Sequence, residues 1–339
     1  MKEAMFFDRL EEKQVLCRLC AHRCKIASGK KGICQVRENR DGTLYTLVYG
    51  QVISQNVDPI EKKPLFHFHP GTVSYSVATP GCNFRCRWCQ NWEISQMPRE
   101  QHFVAGRKAS PEEIVAGAKR TGSRSIAFTY TEPTIFFEYS YDTARLAHDA
   151  GIANVYVTNG YMTEEMLELF HPCLDAANVD LKGFRDETYR KFIGARLQPV
   201  LDSLKKMKSY GIWLEVTTLV IPGLSDDPTE LREAADFLVQ ELGADTPWHL
   251  SRFFPHYQMQ DVPPTPIGTL RRAAEIGREA GLRYVYIGNV AEEANTFCPG
   301  CSRLLIRRRG HGVVENHLNK YGQCPRCGKS IPGVGMGIG

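Results

Sequence analysis

The chain has 339 residues, 42% of them hydrophobic and 24% charged, with a formal net charge of +4, which is ordinary for a folded globular protein. No stretch approaches the ~18 uncharged apolar residues of a membrane span, and the N-terminus lacks a basic and then apolar signal pattern. We therefore predict a cytoplasmic protein with no membrane segment, whose twelve cysteines serve metal sites rather than a disulfide scaffold.

The charge is unevenly distributed along the chain. Residues 1–40 carry ten Lys and Arg against five Asp and Glu, and residues 298–339 carry seven against one. Basic ends on an acidic middle indicate partner surfaces, with nucleic acid as one candidate partner. The alternative is that small zinc modules are commonly basic.

The first predicted unit, residues 1–70, is a cysteine module followed by short strands. Four thiols with the spacing C-x2-C-x3-C-x9-C suggest one closed tetrathiolate site, formed by Cys17, Cys20, Cys24 and Cys34. The metal is zinc or an iron–sulfur cluster. We favour zinc, because the spacing is irregular for a ferredoxin-type run.

The second predicted unit, residues 71–292, alternates strands and helices. The strand candidates are Val73–Thr79, Ser125–Tyr130, Ala153–Val157, Ala176–Leu181, Ile212–Leu219 and Trp248–Phe253. The first helix has a predicted capping box, with Ser110 at the N-cap and Glu113 at the third helical position. Six strand–helix units predict an α/β fold, a partial (β/α)6 barrel of parallel strands, with a doubly wound open sheet as the alternative.

Three further thiols follow the first strand of this unit. Cys82, Cys86 and Cys89 have the spacing C-x3-C-x2-C, after a Pro-Gly turn. Three thiolates can hold three irons of a [4Fe–4S] cluster, which leaves the fourth iron open to bind a substrate. The alternative is a structural zinc knuckle that takes its fourth ligand from elsewhere in the chain.

Polar residues also follow the other predicted strands. If the strands are parallel, these residues meet at one rim, where (β/α) barrels carry their chemistry. Carboxylate side chains there can bind an amine or hydroxyl groups of a ligand, and a lysine can bind a carboxylate of a ligand. The segments are Tyr130-Thr131-Glu132-Pro133, Thr158-Asn159-Gly160, Asp180-Leu181-Lys182, Ile221-Pro222-Gly223 and Pro255-His256.

The third predicted unit, residues 293–339, is a four-cysteine zinc ribbon with a mobile tail. Two C-x2-C pairs 22 residues apart supply its ligands, Cys298, Cys301, Cys324 and Cys327. Rubredoxin-type iron is the alternative metal. The glycine-rich stretch from Pro332 to Gly339 has little to bury and is predicted to be mobile.

Together these segments resemble radical S-adenosylmethionine (SAM) enzymes of the pyruvate formate-lyase activating enzyme type. The aromatic residue before the third cysteine completes the pattern C-x3-C-x-aromatic-C, and Glu132-Pro133 matches the end of that family's Gly-Gly-Glu-Pro segment. The resemblance implies a [4Fe–4S] cluster, SAM, and a reduced flavodoxin or ferredoxin as electron donor. The residues that it assigns to SAM are Trp88, Tyr130, Thr131, Glu132, Thr158, Asn159, Gly160, Asp180, Lys182, Ile221 and His256.

Nearly the full chain resembles the radical SAM member of the AmmeMemoRadiSam system, including Pro59-Ile60-Glu61-Lys62-Lys63-Pro64-Leu65 and Ala78-Thr79-Pro80-Gly81. That resemblance implies Memo-like and AMMECR-type partner proteins and names no reaction. We expect SAM cleavage followed by hydrogen abstraction from a protein or a small molecule. Two alternatives stay open: a glycyl-radical enzyme activase, and a non-enzymatic zinc protein that binds nucleic acid.

Overall fold

The computed structural model describes residues 1–337, and its first part is built from short strands. These strands form two antiparallel sheets of order β2-β3-β4 and β1-β6-β5, while β7 pairs with a later strand. Their bounds are β1 (Lys2–Glu3), β2 (Phe7–Arg9), β3 (Val15–Cys17), β4 (Lys25–Ile26), β5 (Arg37–Arg40), β6 (Thr43–Thr46) and β7 (Gln51–Val52).

The middle of the chain forms an eight-stranded open sheet flanked by helices. The strands of this part are β8 (Ser54–Pro59), β9 (Val73–Ala78), β10 (Arg107–Lys108), β11 (Ser125–Phe128), β12 (Ala153–Thr158), β13 (Ala176–Asp180), β14 (Trp213–Val220), β15 (Trp248–Arg252) and β16 (Val285–Gly288). The helices are α1 (Trp92–Ser95), α2 (Met97–Glu100), α3 (Pro111–Arg120), α4 (Phe137–Asp149), α5 (Glu164–Phe170), α6 (Asp186–Thr188), α7 (Gln198–Ser209), α8 (Pro228–Phe237) and α9 (Ile267–Glu279).

The sheet order is β16-β15-β14-β13-β12-β11-β9-β8, and the strands from β9 to β16 are parallel. This arrangement confirms the predicted α/β partial barrel, because the parallel strands follow one another across the sheet in chain order and a crossover joins each to the next. The sheet has seven parallel strands, one more than the six predicted. The predicted capping box is also present: the Glu113 amide donates to Ser110 Oγ at 3.3 Å, and the Ser110 amide donates to Glu113 Oε2 at 2.7 Å.

The predicted boundary at residue 70 is wrong, because β8 belongs to the central sheet. It pairs antiparallel with β9 from Ser54 opposite Ala78 to Pro59 opposite Val73. The physical reason is that an open parallel sheet leaves unpaired backbone groups at its edge, and β8 satisfies those of β9. Because the two strands are antiparallel, the loop that joins β8 to β9 does not need a crossover helix.

The loop between β8 and β9 closes the amino-terminal end of the sheet. The carboxylate of Glu215, near the start of β14, accepts the backbone amides of Phe66 at 2.9 Å and His67 at 2.7 Å. It also accepts Trp213 Nε1 at 3.1 Å and His249 Nε2 at 2.6 Å. Because Glu215 is completely buried, these donors replace the water that its charge would otherwise need.

The C-terminal module contains β17 (Thr296–Phe297), β18 (Leu304–Arg309) and β19 (Gly312–Asn316), and it packs beneath the same loop. The guanidinium of Arg308 is fully buried and donates to the Phe66 carbonyl at 2.8 Å and to Thr296 Oγ1 at 2.7 Å. It also lies 4.4 Å from the centre of the Phe66 ring. The module is therefore joined to the base of the sheet through buried polar contacts.

The prediction of a mobile tail is wrong for residues 332–337. The His69 amide donates to the Val334 carbonyl at 2.7 Å, and the Val334 amide donates to the His67 carbonyl at 2.9 Å. The side chain of Met336 is 4% exposed. The tail forms backbone hydrogen bonds with residues 67 and 69, and its glycine-rich composition does not reveal this distant partner. The last two residues, 338 and 339, lie outside the described residues.

His67 gives the base of the sheet a pH dependence. Its Nδ1 donates to the Pro332 carbonyl at 2.7 Å, and its Nε2 accepts from the Tyr286 hydroxyl at 2.7 Å, so the geometry fits a neutral ring. Burial lowers the pKa of His67 to about 4. The folded state therefore binds its proton less readily than the unfolded state, and stability falls as the pH drops from about 6.5 towards 4.

We expect His67→Gln to reduce this pH dependence, because glutamine can make both hydrogen bonds and does not titrate. The wild-type free energy of unfolding should fall between pH 7.5 and pH 5 by about 2 kcal/mol more than that of the variant. Urea unfolding at both pH values measures the difference. Equal losses in the two proteins would show that His67 is not the titrating group.

Candidate active site

The carboxyl ends of the parallel strands bring the predicted site residues to one rim. The loop with Cys82, Cys86 and Cys89 follows β9, and the segment 130–133 follows β11. Asn159 and Gly160 follow β12, Asp180 ends β13 and Ile221 follows β14. Strands in parallel register place these ends on the same side of the sheet, as the sequence predicted.

The three-thiol loop is held in place by its backbone. Arg85 N donates to the Ile193 carbonyl at 2.8 Å, and Arg87 N donates to the Phe192 carbonyl at 3.2 Å. These carbonyls belong to a π-helical turn over Tyr189–Ile193. Phe84 is 1% exposed and anchors the loop in the core. A loop fixed at its backbone presents its thiols in a constant arrangement, which a rigid cluster requires.

The thiols themselves have few protein partners. Ser95 Oγ lies 3.3 Å from Cys89 Sγ, and the Phe84 amide donates to Cys82 Sγ at 3.3 Å. Burial raises the pKa of the Cys82 thiol, and it raises that of Cys86 to about 12. A bound cation would favour the thiolate form of Cys82 and Cys86.

Asn159 joins the end of β12 to the thiol loop. Its Nδ2 donates to Asn83 Oδ1 at 2.7 Å and lies 4.0 Å from Cys82 Sγ. Its Oδ1 accepts the Tyr161 amide at 3.0 Å. Asn83 is a positioning residue that the sequence analysis missed, although it lies inside the cysteine motif.

Glu132 forms a clamp between the ends of β11 and β12. Its Oε1 accepts the Thr134 amide at 3.0 Å, Thr134 Oγ1 at 2.6 Å and Thr158 Oγ1 at 2.7 Å. Its Oε2 accepts the Asn159 amide at 2.8 Å. The resemblance assigns this acid to SAM, and that assignment stays a prediction. The structure buries the side chain to 1% exposure and gives it four protein donors, because the two strand ends leave these donors unpaired.

Tyr130 occupies a backbone conformation that glycine favours. Its φ is +64°, and it stands where the resembling family has the first glycine of Gly-Gly-Glu-Pro. A left-handed conformation costs a non-glycine residue about 1–2 kcal/mol. Three contacts compensate: the Tyr130 hydroxyl donates to Asp58, Lys63 Nζ lies 4.4 Å from the ring centre, and Asn91 Nδ2 donates to the Tyr130 carbonyl at 2.7 Å.

Asp180 and Lys182 form the most accessible charged pair at the rim. Lys182 Nζ donates to Asp180 Oδ2 at 2.9 Å, and the two side chains are 18% and 35% exposed for lysine and aspartate respectively. Burial opposes the lysine charge, but Asp180 and then Cys86 raise the pKa of Lys182 above its usual value. The ammonium therefore stays charged beside the thiol loop, available to a carboxylate of a bound molecule.

The predicted SAM contacts fall into two groups by exposure. The partly exposed group is Tyr130, Thr131, Asp180, Lys182 and His256, and the buried group is Trp88, Glu132, Thr158, Asn159, Gly160 and Ile221. Ile221 is fully buried and packs in the core, and its assignment to SAM stays a prediction. The Gln258 amide donates to the Arg87 carbonyl at 2.9 Å, which brings the loop with His256 against the thiol loop.

The C-terminal cysteines form a compact four-thiol group. Cys298 Sγ lies 3.5 Å from Cys327 Sγ, Cys301 Sγ lies 3.7 Å from Cys324 Sγ, and all four sulfurs lie within 4.8 Å of one another. Zn–S bonds of about 2.3 Å in a tetrahedron give sulfur separations of about 3.8 Å. The group thus fits a single metal ion of that size.

The N-terminal cysteines line a separate cavity. Cys17, Cys20, Cys24 and Cys34 surround it together with His22 and Arg37. Arg37 is held by Glu138 in a bidentate ion pair of 2.8 and 2.9 Å, and both side chains are buried. This ion pair, which the sequence analysis missed, fixes the cavity against α4.

The sequence of this chain is similar to those of known proteins, and the similarity includes the three-thiol loop. Residues 76–238 match the family model of the radical SAM superfamily, a range that includes the three-thiol loop and excludes both four-cysteine modules. An uncharacterized protein of Methanocaldococcus jannaschii is 46% identical over 334 residues, which cover 98% of this chain and 99% of that protein. The pyruvate formate-lyase-activating enzyme of Clostridium pasteurianum is 23% identical over 164 residues, covering 47% of this chain and 66% of the enzyme.

Among solved structures, a radical SAM methyltransferase from Sphaerobacter thermophilus matches 65% of this chain and 67% of its own, with a TM-score of 0.51 and 16% identity. At that identity the likeness shows a shared fold.

Within residues 1–337, no helix has both the length and the apolar character needed to cross a bilayer.

We expect Glu132→Ala to destabilise the protein by about 3 kcal/mol, because it leaves buried donors of Thr134, Thr158 and Asn159 without acceptors. Urea unfolding of the metal-free protein measures the loss. Glu168→Ala, which removes an exposed carboxylate from α5, is the matched control and should change little. If the two variants unfold alike, Glu132 is not a clamp and its carboxylate is free for a ligand.

Proposed function

Because this chain belongs to the radical SAM superfamily, we propose that Cys82, Cys86 and Cys89 bind a [4Fe–4S] cluster at which SAM is reductively cleaved. When bound, the cluster and SAM supply a 5′-deoxyadenosyl radical that abstracts hydrogen from a protein or small-molecule substrate. The observation that carries the proposal is that the three-thiol loop, Asn159, Asp180 and Lys182 lie at one rim of the sheet.

The residues of the rim offer a ligand two kinds of contact, charged side chains and backbone groups in fixed positions. Lys182 offers an ammonium to the carboxylate of SAM, and Asp180 offers a carboxylate to hydroxyls or to the amine. The segments 130–132 and 158–160 offer backbone groups whose positions are fixed by the Glu132 clamp. The closed base of the sheet limits solvent to the rim, which suits a reaction that must exclude water.

A glycyl-radical enzyme activase is the second candidate, supported by the similarity to the activating enzyme of Clostridium pasteurianum. Formation of a glycine-centred radical on a partner protein distinguishes it. The Memo-like and AMMECR-type partners rest on the sequence resemblance alone. The compact C-terminal thiols support zinc in that module.

We also propose that an acidic one-electron donor, a reduced flavodoxin or ferredoxin, docks beside the thiol loop. Exposed cations lie in this loop and in the segment that holds it, namely Arg85, Arg87, Arg190, Lys191 and Arg196, of which Arg190 is paired with Asp186. Arg87 and Lys191 both lie near the Phe192 ring, at 5.6 and 5.5 Å from its centre. A cationic surface this near the cluster would attract an acidic partner and orient it for electron transfer.

We expect Cys86→Ala to abolish SAM cleavage. The anaerobically reconstituted wild-type protein should form 5′-deoxyadenosine from SAM and a strong reductant, and the variant should form none, because two thiolates do not hold the cluster. Cys173→Ala, at a half-buried cysteine far from the loop in sequence, is the control and should retain the activity. A wild-type protein that carries the cluster and yields no deoxyadenosine would refute the proposal.

We expect the double variant Arg87→Glu/Lys191→Glu to slow cluster reduction by flavodoxin about tenfold or more at low ionic strength, because charge reversal weakens the encounter. Stopped-flow absorbance follows the reduction. Reduction by dithionite should be unchanged, and the double variant Lys119→Glu/Arg120→Glu, at two exposed positions of α3, serves as the charge-matched control. Equal rates for both variants would place the donor elsewhere.

A further inference from the structure

The N-terminal cavity is built as a metal site of a different size from the C-terminal one. Four of the residues that line it are cysteines. The other lining side chains are mostly aliphatic: Leu19, Ile26, Ile33 and Ile135. Four thiols that line one apolar cavity are a donor set suited to a thiolate-bound metal or cluster.

The separation of the sulfurs distinguishes the two four-cysteine modules. Of the residues that the structure describes, only the C-terminal group brings three or more ligand atoms within 4.8 Å of one another. No three of the N-terminal sulfurs come that close. A single tetrahedral ion holds its thiolates about 3.8 Å apart. A cubane places four irons and four sulfides between its thiolates, and so holds them farther apart.

The loop with Cys82, Cys86 and Cys89 provides an internal comparison. Its three sulfurs also fail to meet within 4.8 Å, and the superfamily's cluster is the group expected there. Within the described residues, the sulfurs of the C-terminal site are therefore close enough to bind one zinc ion. The sulfurs of the other two sites lie farther apart, and we call these two the expanded thiol sites.

Arg37 gives the cavity a second feature that points to a ligand. It is 2% exposed, and its Nε is buried without a hydrogen-bond partner. Its other two nitrogens are occupied by Glu138 and by the Met5 carbonyl at 2.9 Å. A buried N–H group in the wall of the cavity is a donor for the sulfur atoms of a cluster, whose potential such hydrogen bonds tune.

We propose that Cys17, Cys20, Cys24 and Cys34 bind a second [4Fe–4S] cluster rather than zinc. Because four thiolates ligate all four irons, this cluster has no open position for SAM and serves electron transfer or structure. It lies against the first cluster's loop: His22 Nε2 donates to the Asn83 carbonyl at 2.8 Å, and the Cys34 carbonyl approaches Gly81. The assignment goes beyond the proposed function and does not depend on SAM cleavage.

The triple variant Cys82→Ala/Cys86→Ala/Cys89→Ala tests this assignment and leaves the N-terminal module intact. After anaerobic reconstitution of the full chain with iron and sulfide, the variant should retain about four irons and four sulfides, and the wild type about eight of each. Both should hold about one zinc ion, in the C-terminal module. The reduced variant should show the EPR signal of a [4Fe–4S] cluster that SAM does not alter.

A triple variant with less than about one iron and one sulfide would overturn the assignment, whether or not a second zinc ion takes their place. The double variant Cys17→Ala/Cys20→Ala is the complement and should lose about four irons while its remaining EPR signal responds to SAM. Deoxyadenosine formation by the wild type tests the proposed function separately. A wild type with about four irons, one SAM-responsive signal and deoxyadenosine formation would refute the second cluster alone.

Discussion

One buried carboxylate, that of Glu215, holds together three parts of the chain. It accepts backbone amides from the loop after β8, an indole from its own strand and an imidazole from the neighbouring strand. An isolated carboxylate at this depth would be prohibitively costly, so the strand, the loop and His249 must come together for the base to form. The loop in turn carries the contacts of Arg308 and Pro332, which attach the C-terminal module. The loop therefore lies at the end of the sheet opposite to the rim that carries the site residues.

The rim combines buried residues that make several hydrogen bonds with a few charged residues that stay partly exposed. Glu132 and Asn159 are buried and fully engaged, and they fix the strand ends relative to the thiol loop. Asp180 and Lys182 keep part of their surface exposed, as groups that meet a ligand must. This division explains why a glycine of the family pattern can be replaced by Tyr130: the backbone keeps its left-handed turn, and contacts to Asp58 and Asn91 stabilise the substitution.

The sequence predicted what is encoded locally. The strands and helices of the middle region follow from apolar runs separated by caps such as Ser110, and the three-thiol loop is a continuous motif. What it could not predict depends on distant partners. The pairing of β8 with β9, the docking of Val334 on the loop after β8, and the burial of Glu132 each join residues whose relation no spacing reveals. Likewise, cysteine spacing gives the number of thiols in a module but not the distance between their sulfurs, on which the size of the bound group depends.

The pairing of His67 with residues 332–334 also dictates the order in which the molecule can be completed during biosynthesis. These contacts span about 265 residues, so they form only after the chain beyond residue 334 has left the ribosome. Strands β8 to β15 are synthesised earlier and can assemble before these contacts form, because domains fold progressively from the N-terminus. During that interval Glu215 can already hold the loop after β8, and both expanded thiol sites have their cysteines. Docking of residues 332–334 then adds a second attachment to this loop, so it follows the formation of the sheet.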